Sequence, residues 1–280
     1  MKITKELLKE KGACADGYRD FLKEYPVDKY PDGVEYQELL DCCAEKNFSH
    51  GLWLLDVFGR TDDVRKIDGD LIVEKGIIFA GRLEVKDCIK AGEGIEAGGG
   101  IEVGYGIEAG WGIKAGEGIE AGGGIEVGYG IEAGWGIKAD CGIEAGWGIK
   151  AGWGIKADCG IEAGWGIKAG GGIEAGEGIE AGWDIEAGEV IEAGWGIKAG
   201  EGIEAGYSIK AGGGIEAGEV IEAGWGIKAG EGIEAGCEYG IYAGLHCRIT
   251  NKTLRKIIAR ERPENIVCGE FEEKKDDAVR

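Results

Sequence analysis

From Ile89 to Ile233 an isoleucine stands at every sixth position, twenty-five times without a slip. Alanine follows two residues later (Val103 and Val127 are the exceptions), and a Glu or Lys always separates the two. Apolar, charged, apolar over three residues is strand alternation: the first and third side chains face a core and the second faces water. A helical face recurs every 3.6 residues, so a six-residue period leaves it within two or three units. Collagen needs Gly at every third position and abundant Pro; here Gly usually stands at the fourth and sixth positions of the hexad, and the chain has 3 prolines. The pattern predicts a mainly β fold, a parallel β-solenoid whose coils stack Ile on Ile and Ala on Ala. Gly is expected to turn each corner by adopting unusual backbone dihedrals.

The number of hexads per coil is less firmly set. Asp140-Cys141 recurs as Asp158-Cys159 at a shift of 18, and at that step Trp111, Tyr129, Trp147, Trp165 and Trp183 fall in one column. Residues 89–112 recur at a shift of 24 and residues 185–202 at a shift of 30. These copies make the hexad the unit of duplication and leave coil size open. Three hexads, 18 residues and a triangular section, is the preferred reading; two hexads is the alternative.

The flanks differ in composition. Residues 1–62 carry helical segments (K-E-L-L-K-E, G-Y-R-D-F-L-K-E-Y, Y-Q-E-L-L-D-C-C-A, G-L-W-L-L-D-V-F-G), with Pro26 and Pro31 between the second and third. They predict a small helical domain that either caps the solenoid or recruits a partner. Residues 63–88 read as first irregular coils, residues 89–236 as the regular solenoid, and residues 237–280 as a C-terminal cap and tail. Within that cap the register breaks at Cys237-Glu238-Tyr239, residues 252–262 suit a basic helix or an edge strand, and residues 272–280 suit a frayed tail.

The hexads, such as I-E-A-G-W-G at 107–112, resemble hexapeptide-repeat β-helix proteins. Bulky residues at the fifth position depart from the left-handed acyltransferase pattern, and the simple Gly-rich unit is more similar to the right-handed, filament-forming bactofilin repeat. The segments G-A-C-A-D-G-Y-R-D-F (12–21) and Y-G-I-Y-A-G-L-H-C (239–247) look similar to uncharacterised proteins of gut Firmicutes and their phages. That resemblance implies a phage-type role against a host defence or DNA-handling protein, of the anti-CRISPR or anti-restriction class.

Charge narrows the function further. The formal net charge is −21, of which residues 89–236 contribute −17, from 9 Lys against 26 acids. An anionic rod is suited to a basic protein surface and unsuited to nucleic acid itself. The candidate acidic contacts are Glu96, Glu102, Glu108, Glu120, Glu126, Glu132, Glu144, Glu162, Glu174, Glu180, Glu186 and Glu192. The aromatic column at 111, 129, 147, 165 and 183 is a candidate contact strip or a corner-stiffening stack. The bland alternative for the charges is a solvated face of Glu–Lys pairs, each contributing ~0–1 kcal/mol.

Catalytic vocabulary is thin. The two histidines, His50 and His246, belong to no triad legible from spacing, no C-x-x-C occurs, and no cofactor, metal or catalytic residue is predicted. Nine scattered cysteines and a charged start without a signal-peptide core predict reduced thiols in the cytoplasm; Cys141 and Cys159 are expected to be unbonded neighbours. No apolar run spans a bilayer. The expectation is a non-catalytic acidic solenoid that mimics DNA towards a basic or DNA-binding host protein. The alternatives are a filament-forming structural solenoid and, more weakly, a nucleotide-sequestering sponge. Homodimerisation through the solenoid or the N-terminal domain is a further expectation.

Overall fold

The computed structural model describes residues 1–236, 240–244 and 256–274. A parallel β-solenoid of triangular section forms the body, and within the hexad repeat each strand pairs with the strand 18 residues away. Three hexads therefore close one coil. The first face is a 10-stranded sheet from Leu71–Val73 to Ile233–Glu234. The second has 11 strands, from Ile77–Phe79 to Ile266–Cys268, and the third has 12, from Val64–Ile67 to Glu270–Glu273.

Registration is identical on all faces: Ile143 pairs with Ile161, Glu144 with Glu162 and Ala145 with Ala163, and so on coil after coil. The strands are three residues long with the pattern buried, exposed, buried. The repeat isoleucines are almost completely buried, and with the alanines they form one continuous core that takes in Leu83, Val85, Ile241 and Ile257 at the ends. Burying an Ile side chain is worth ~1.5–3 kcal/mol, so the repeated column is the main source of cohesion.

Glycine turns the corners for a different reason than expected. No glycine of the hexad repeat has positive φ. What the fourth position requires is close approach: a Cβ on Gly146 would overlap the carbonyl oxygen of Gly128 in the coil below. A Cβ on the sixth-position Gly148 would stand 3.1 Å from the oxygen of Gly166, a far milder conflict. This difference explains why Asp184, Val190, Ser208 and Val220 are admitted at the sixth position. At the fourth, only Asp140 and Asp158 replace Gly, stacked on one another.

Four helices precede the solenoid: α1 (Lys5–Glu10), α2 (Ala15–Glu24), α3 (Tyr36–Lys46) and α4 (Phe48–Phe58). Their core of Leu8, Phe21, Leu39, Leu40 and Leu54 includes Ile78 and Ala80 of the first coils. Ile78 occupies the outward second position, yet is 1% exposed, because α3 and α4 cover it. The Gln37 side chain donates to the Ile78 carbonyl (2.8 Å) and accepts from the Ala80 N–H (3.0 Å). It thus supplies the hydrogen bonds that a further strand would make to the free edge of the second face. At the opposite end the Asn265 amide donates to the carbonyls of Ala235 (3.3 Å) and Gly236 (3.2 Å).

Two expectations for the C-terminal region change. Lys256–Ala259 is neither a helix nor an edge strand: it lies inside the third face, paired to Ile227–Ala229 on one side and Glu270–Glu273 on the other. Glu272 and Glu273, expected in a frayed tail, belong to that last strand. The register break at 237–239, His246, Cys247, residues 252–255 and the tail from 275 lie outside the described residues.

Candidate acidic and aromatic face

Folding into 18-residue coils sorts the twelve predicted glutamates by face. Glu108, Glu126, Glu144, Glu162 and Glu180 form one unbroken column on the first face. Glu96, Glu132 and Glu186 lie on the second, and Glu102, Glu120, Glu174 and Glu192 on the third. The sheet register fixes this separation, since every second position points outward.

The faces differ in how their charges are answered. On the third, Lys138 reaches Glu120 at 2.7 Å, Lys156 reaches Glu174 at 2.8 Å, Lys210 reaches Glu192 at 3.3 Å, and Arg82 holds Glu102. On the second, Lys150 reaches Glu132 at 3.4 Å and Lys168 contacts Glu186. On the first, Lys90 answers Glu108 at 2.6 Å and Lys198 turns away to Glu216 at 3.6 Å. Among the described residues, Glu126, Glu144, Glu162 and Glu180 make no ion pair. Eight of the twelve candidates are neutralised by a neighbouring coil, and the four that are not stand in one file. The second face has a shorter stretch of this kind, Glu204 and Glu222.

Glu96 cannot serve as a contact. Its side chain is 13% exposed, near Phe48, Ser49 and Leu52 of α4. Desolvation holds its pKa above the usual carboxylate range, with Lys114 at 3.6 Å opposing the shift.

The five predicted aromatics do form one column, at the corner between the first and second faces. They are 44 to 51% exposed. Trp147 and Trp165 stack with centroids 4.7 Å apart and planes 3° from parallel; Trp165 and Trp183 stack at 4.8 Å and 4°. Tyr129 tilts onto Trp147 at 5.3 Å. Ring separation matches the coil rise, so each ring covers the next and still shows an edge to water. Stiffening stack and exposed strip are the same object. Glu162 and Trp165 belong to one hexad, so the file of acids runs alongside the file of rings.

The opposite border of the acidic face carries Cys159, Glu177 and Trp195. Between the borders lies an open concavity of ≈ 1530 Å³ that includes Glu144, Glu162 and Glu180. Cys141 and Cys159 are free thiols on adjacent coils. Desolvation, with Cys141 beside it, raises the Cys159 thiol.

One grouping escaped the sequence reading. Cys14 Sγ lies 4.0 Å from His50 Nε2, and His50 Nδ1 lies 3.8 Å from Asp20 Oδ2. A separation of 36 positions between Cys14 and His50 hides their proximity in the linear chain. The available signal was Cys14 preceding A-D-G, where it caps α2 and accepts from the Gly17 N–H at 3.3 Å.

No known protein family, curated protein or solved structure matches this chain. Among the described residues, no helix is long and apolar enough to cross a membrane, and no group of three or more His, Cys, Asp or Glu is arranged to hold a metal ion.

Proposed function

We propose that the solenoid is a docking protein for a basic, DNA-binding partner in the cytoplasm and that the first face is its contact surface. The observation that carries this reading is the file of Glu126, Glu144, Glu162 and Glu180, four uncompensated acids in succession where the other eight candidate acids are paired. Acids at ~4.8 Å intervals present a cationic groove with a regular anionic line, comparable with the 3.4 Å charge spacing of one DNA strand. Salt-screened attraction steers the encounter. The half-exposed rings beside the file supply the apolar contact that fixes position, since aromatic anchors carry much of the binding energy at interfaces. Inhibition of a host defence protein by occupation of its DNA-binding groove is the corresponding biological role.

A filament-forming, bactofilin-like solenoid is the second reading. It draws on the third face, which ends in Val64–Ile67, carrying Arg65 and Lys66, and in Glu270–Glu273. Those edge strands have opposite charge. Gln37 and Asn265, which close two other edges, work against end-to-end growth. Light scattering over a concentration series separates the readings: a constant mass supports docking, and growth with concentration supports the filament.

The docking surface is tested by capturing DNA-binding proteins on the immobilised chain and displacing them with duplex DNA. Duplex should compete, and raised salt should release the partner. Retention in the presence of excess duplex and at high salt would overturn DNA mimicry.

A further inference from the structure

The helical unit encloses a second site, independent of the acidic face. A cavity of ≈ 420 Å³ lies between α2, α3 and α4, lined on its apolar side by Leu8, Phe21, Leu39, Trp53 and Leu54. Cys14, His50 and Asp20 also line it. We infer that Cys14 is a nucleophilic thiol that accepts the acyl group of an ester or thioester with an apolar acyl chain, His50 serving as its base and Asp20 as the group that positions His50.

The geometry supports each role. Cys14 is exposed and stands at the N-cap of the ten-residue α2. The first-turn amides of a helix lack intrahelical acceptors and favour negative charge, and one of them, the Gly17 N–H, already donates to Sγ. The nearby Asp16 carboxylate is engaged by Arg19 at 2.7 Å. Gly17 also makes room for the pair: a Cβ there would lie 3.3 Å from Sγ and 3.6 Å from His50 Nε2.

Nδ1 faces the Asp20 carboxylate at 3.8 Å, a placement that favours the tautomer with the proton on Nδ1 and Nε2 free to accept from Cys14 at 4.0 Å. Asn47 fixes the start of α4, accepting from the His50 N–H at 3.4 Å while its amide nitrogen lies 3.5 Å from Nε2. Nucleophile, base and orienting acid in sequence are the arrangement that thiol acylation requires. Cys43 lines the same cavity but is a poor candidate, because burial pushes its thiol up to about 12.

In the proposed step the Cys14 Sγ–H proton passes to His50 Nε2 as Sγ bonds to the carbonyl carbon. The tetrahedral adduct then collapses: the bond from carbon to the leaving oxygen or sulfur breaks, and that atom takes the proton from Nε2. Thiol plus ester gives S-acyl Cys14 plus alcohol; a thioester gives a free thiol instead. The acyl chain occupies the apolar part of the cavity.

The full chain is treated with p-nitrophenyl hexanoate, following p-nitrophenolate release and mapping hexanoyl-modified peptides by mass. Cys141, also exposed, is the internal control, having no histidine among its described contacts. Release dependent on Cys14 should be at least tenfold faster than modification of Cys141. Cys14→Ser, which keeps an N-cap oxygen, should abolish it. His50→Gln should slow it at least tenfold, and Asp20→Asn about threefold, with unfolding temperature and Cys141 labelling unchanged. Equal rates at Cys14 and Cys141, or a Cys14 rate indifferent to His50→Gln in a folded variant, would overturn the proposal.

Discussion

The first and third faces share one interior and differ on the outside. Ile161 and Ile155 are each 1% exposed and stack on isoleucine above and below. At the second position of the same strands, the first face has Glu126, Glu144, Glu162 and Glu180 in succession and unpaired, whereas the third follows Glu84, Glu102 and Glu120 with pairs of Lys and Glu in alternation. Stability needs no particular charge at that position, only a polar group. The file of like charges therefore calls for an explanation outside the fold, and attraction of a cation supplies one.

The comparison is sharpened first by its interior. Ile161→Ala and Ile155→Ala should each cost about 2–5 kcal/mol in urea unfolding, with similar values on the two faces. A large inequality would show that the faces are not mechanically equivalent. At the corner, Gly146→Ala should cost about 1–3 kcal/mol, because its Cβ overlaps the coil below; Gly148→Ala should cost clearly less. Equal costs would remove the close-approach account of the fourth position. Trp165→Ala breaks two stacked pairs, each worth ~0.5–1.5 kcal/mol, and should lower stability by less than either isoleucine change.

The charges themselves give smaller effects of opposite sign. Glu162→Gln relieves repulsion along its file and should raise the unfolding midpoint slightly at low salt. Glu174→Gln removes the partner of Lys156 and should lower it slightly, and 1 M salt should shrink both shifts. Glu96 gives a pH-dependent version. Its folded pKa lies above the unfolded value, so its ionisation penalises folding at neutral pH. The penalty fades as pH falls through the folded value and is gone below the unfolded one. Glu96→Gln should therefore be relatively more stable at pH 7 than at pH 4 when compared with the parent chain. A difference independent of pH would contradict desolvation as the cause.

Much of the fold was legible because its period is short and its core positions are chemically uniform. The shift of 18 that aligned Trp111 with Trp183 is the coil length observed. The reason for glycine was misread, because close approach between coils depends on three-dimensional stacking that one hexad does not show. The lateral docking of α3 was also out of reach: Gln37 mates with Ile78 and Ala80 across some 40 residues, and nothing in its local sequence marks it. Which of the candidate acids are paired was not legible, since sequence gives their spacing but only coil closure reveals which Lys sits next to which Glu. Cys14, His50 and Asp20 were missed for a related reason: their contact is made by packing α2 against the start of α4.

The most direct test is a pair of variants that lose the same charge from different faces. One replaces Glu126, Glu144, Glu162 and Glu180 by Gln; the other replaces Glu120, Glu132, Glu174 and Glu192 by Gln. Affinity for a captured DNA-binding partner is measured at ~0.15 M ionic strength, where the Debye length is about 8 Å. The first variant should lose at least about tenfold, or 1.4 kcal/mol, and the second less than about twofold. Equal weakening would show that net charge alone draws the partner, and the assignment of the first face as the docking surface would be wrong.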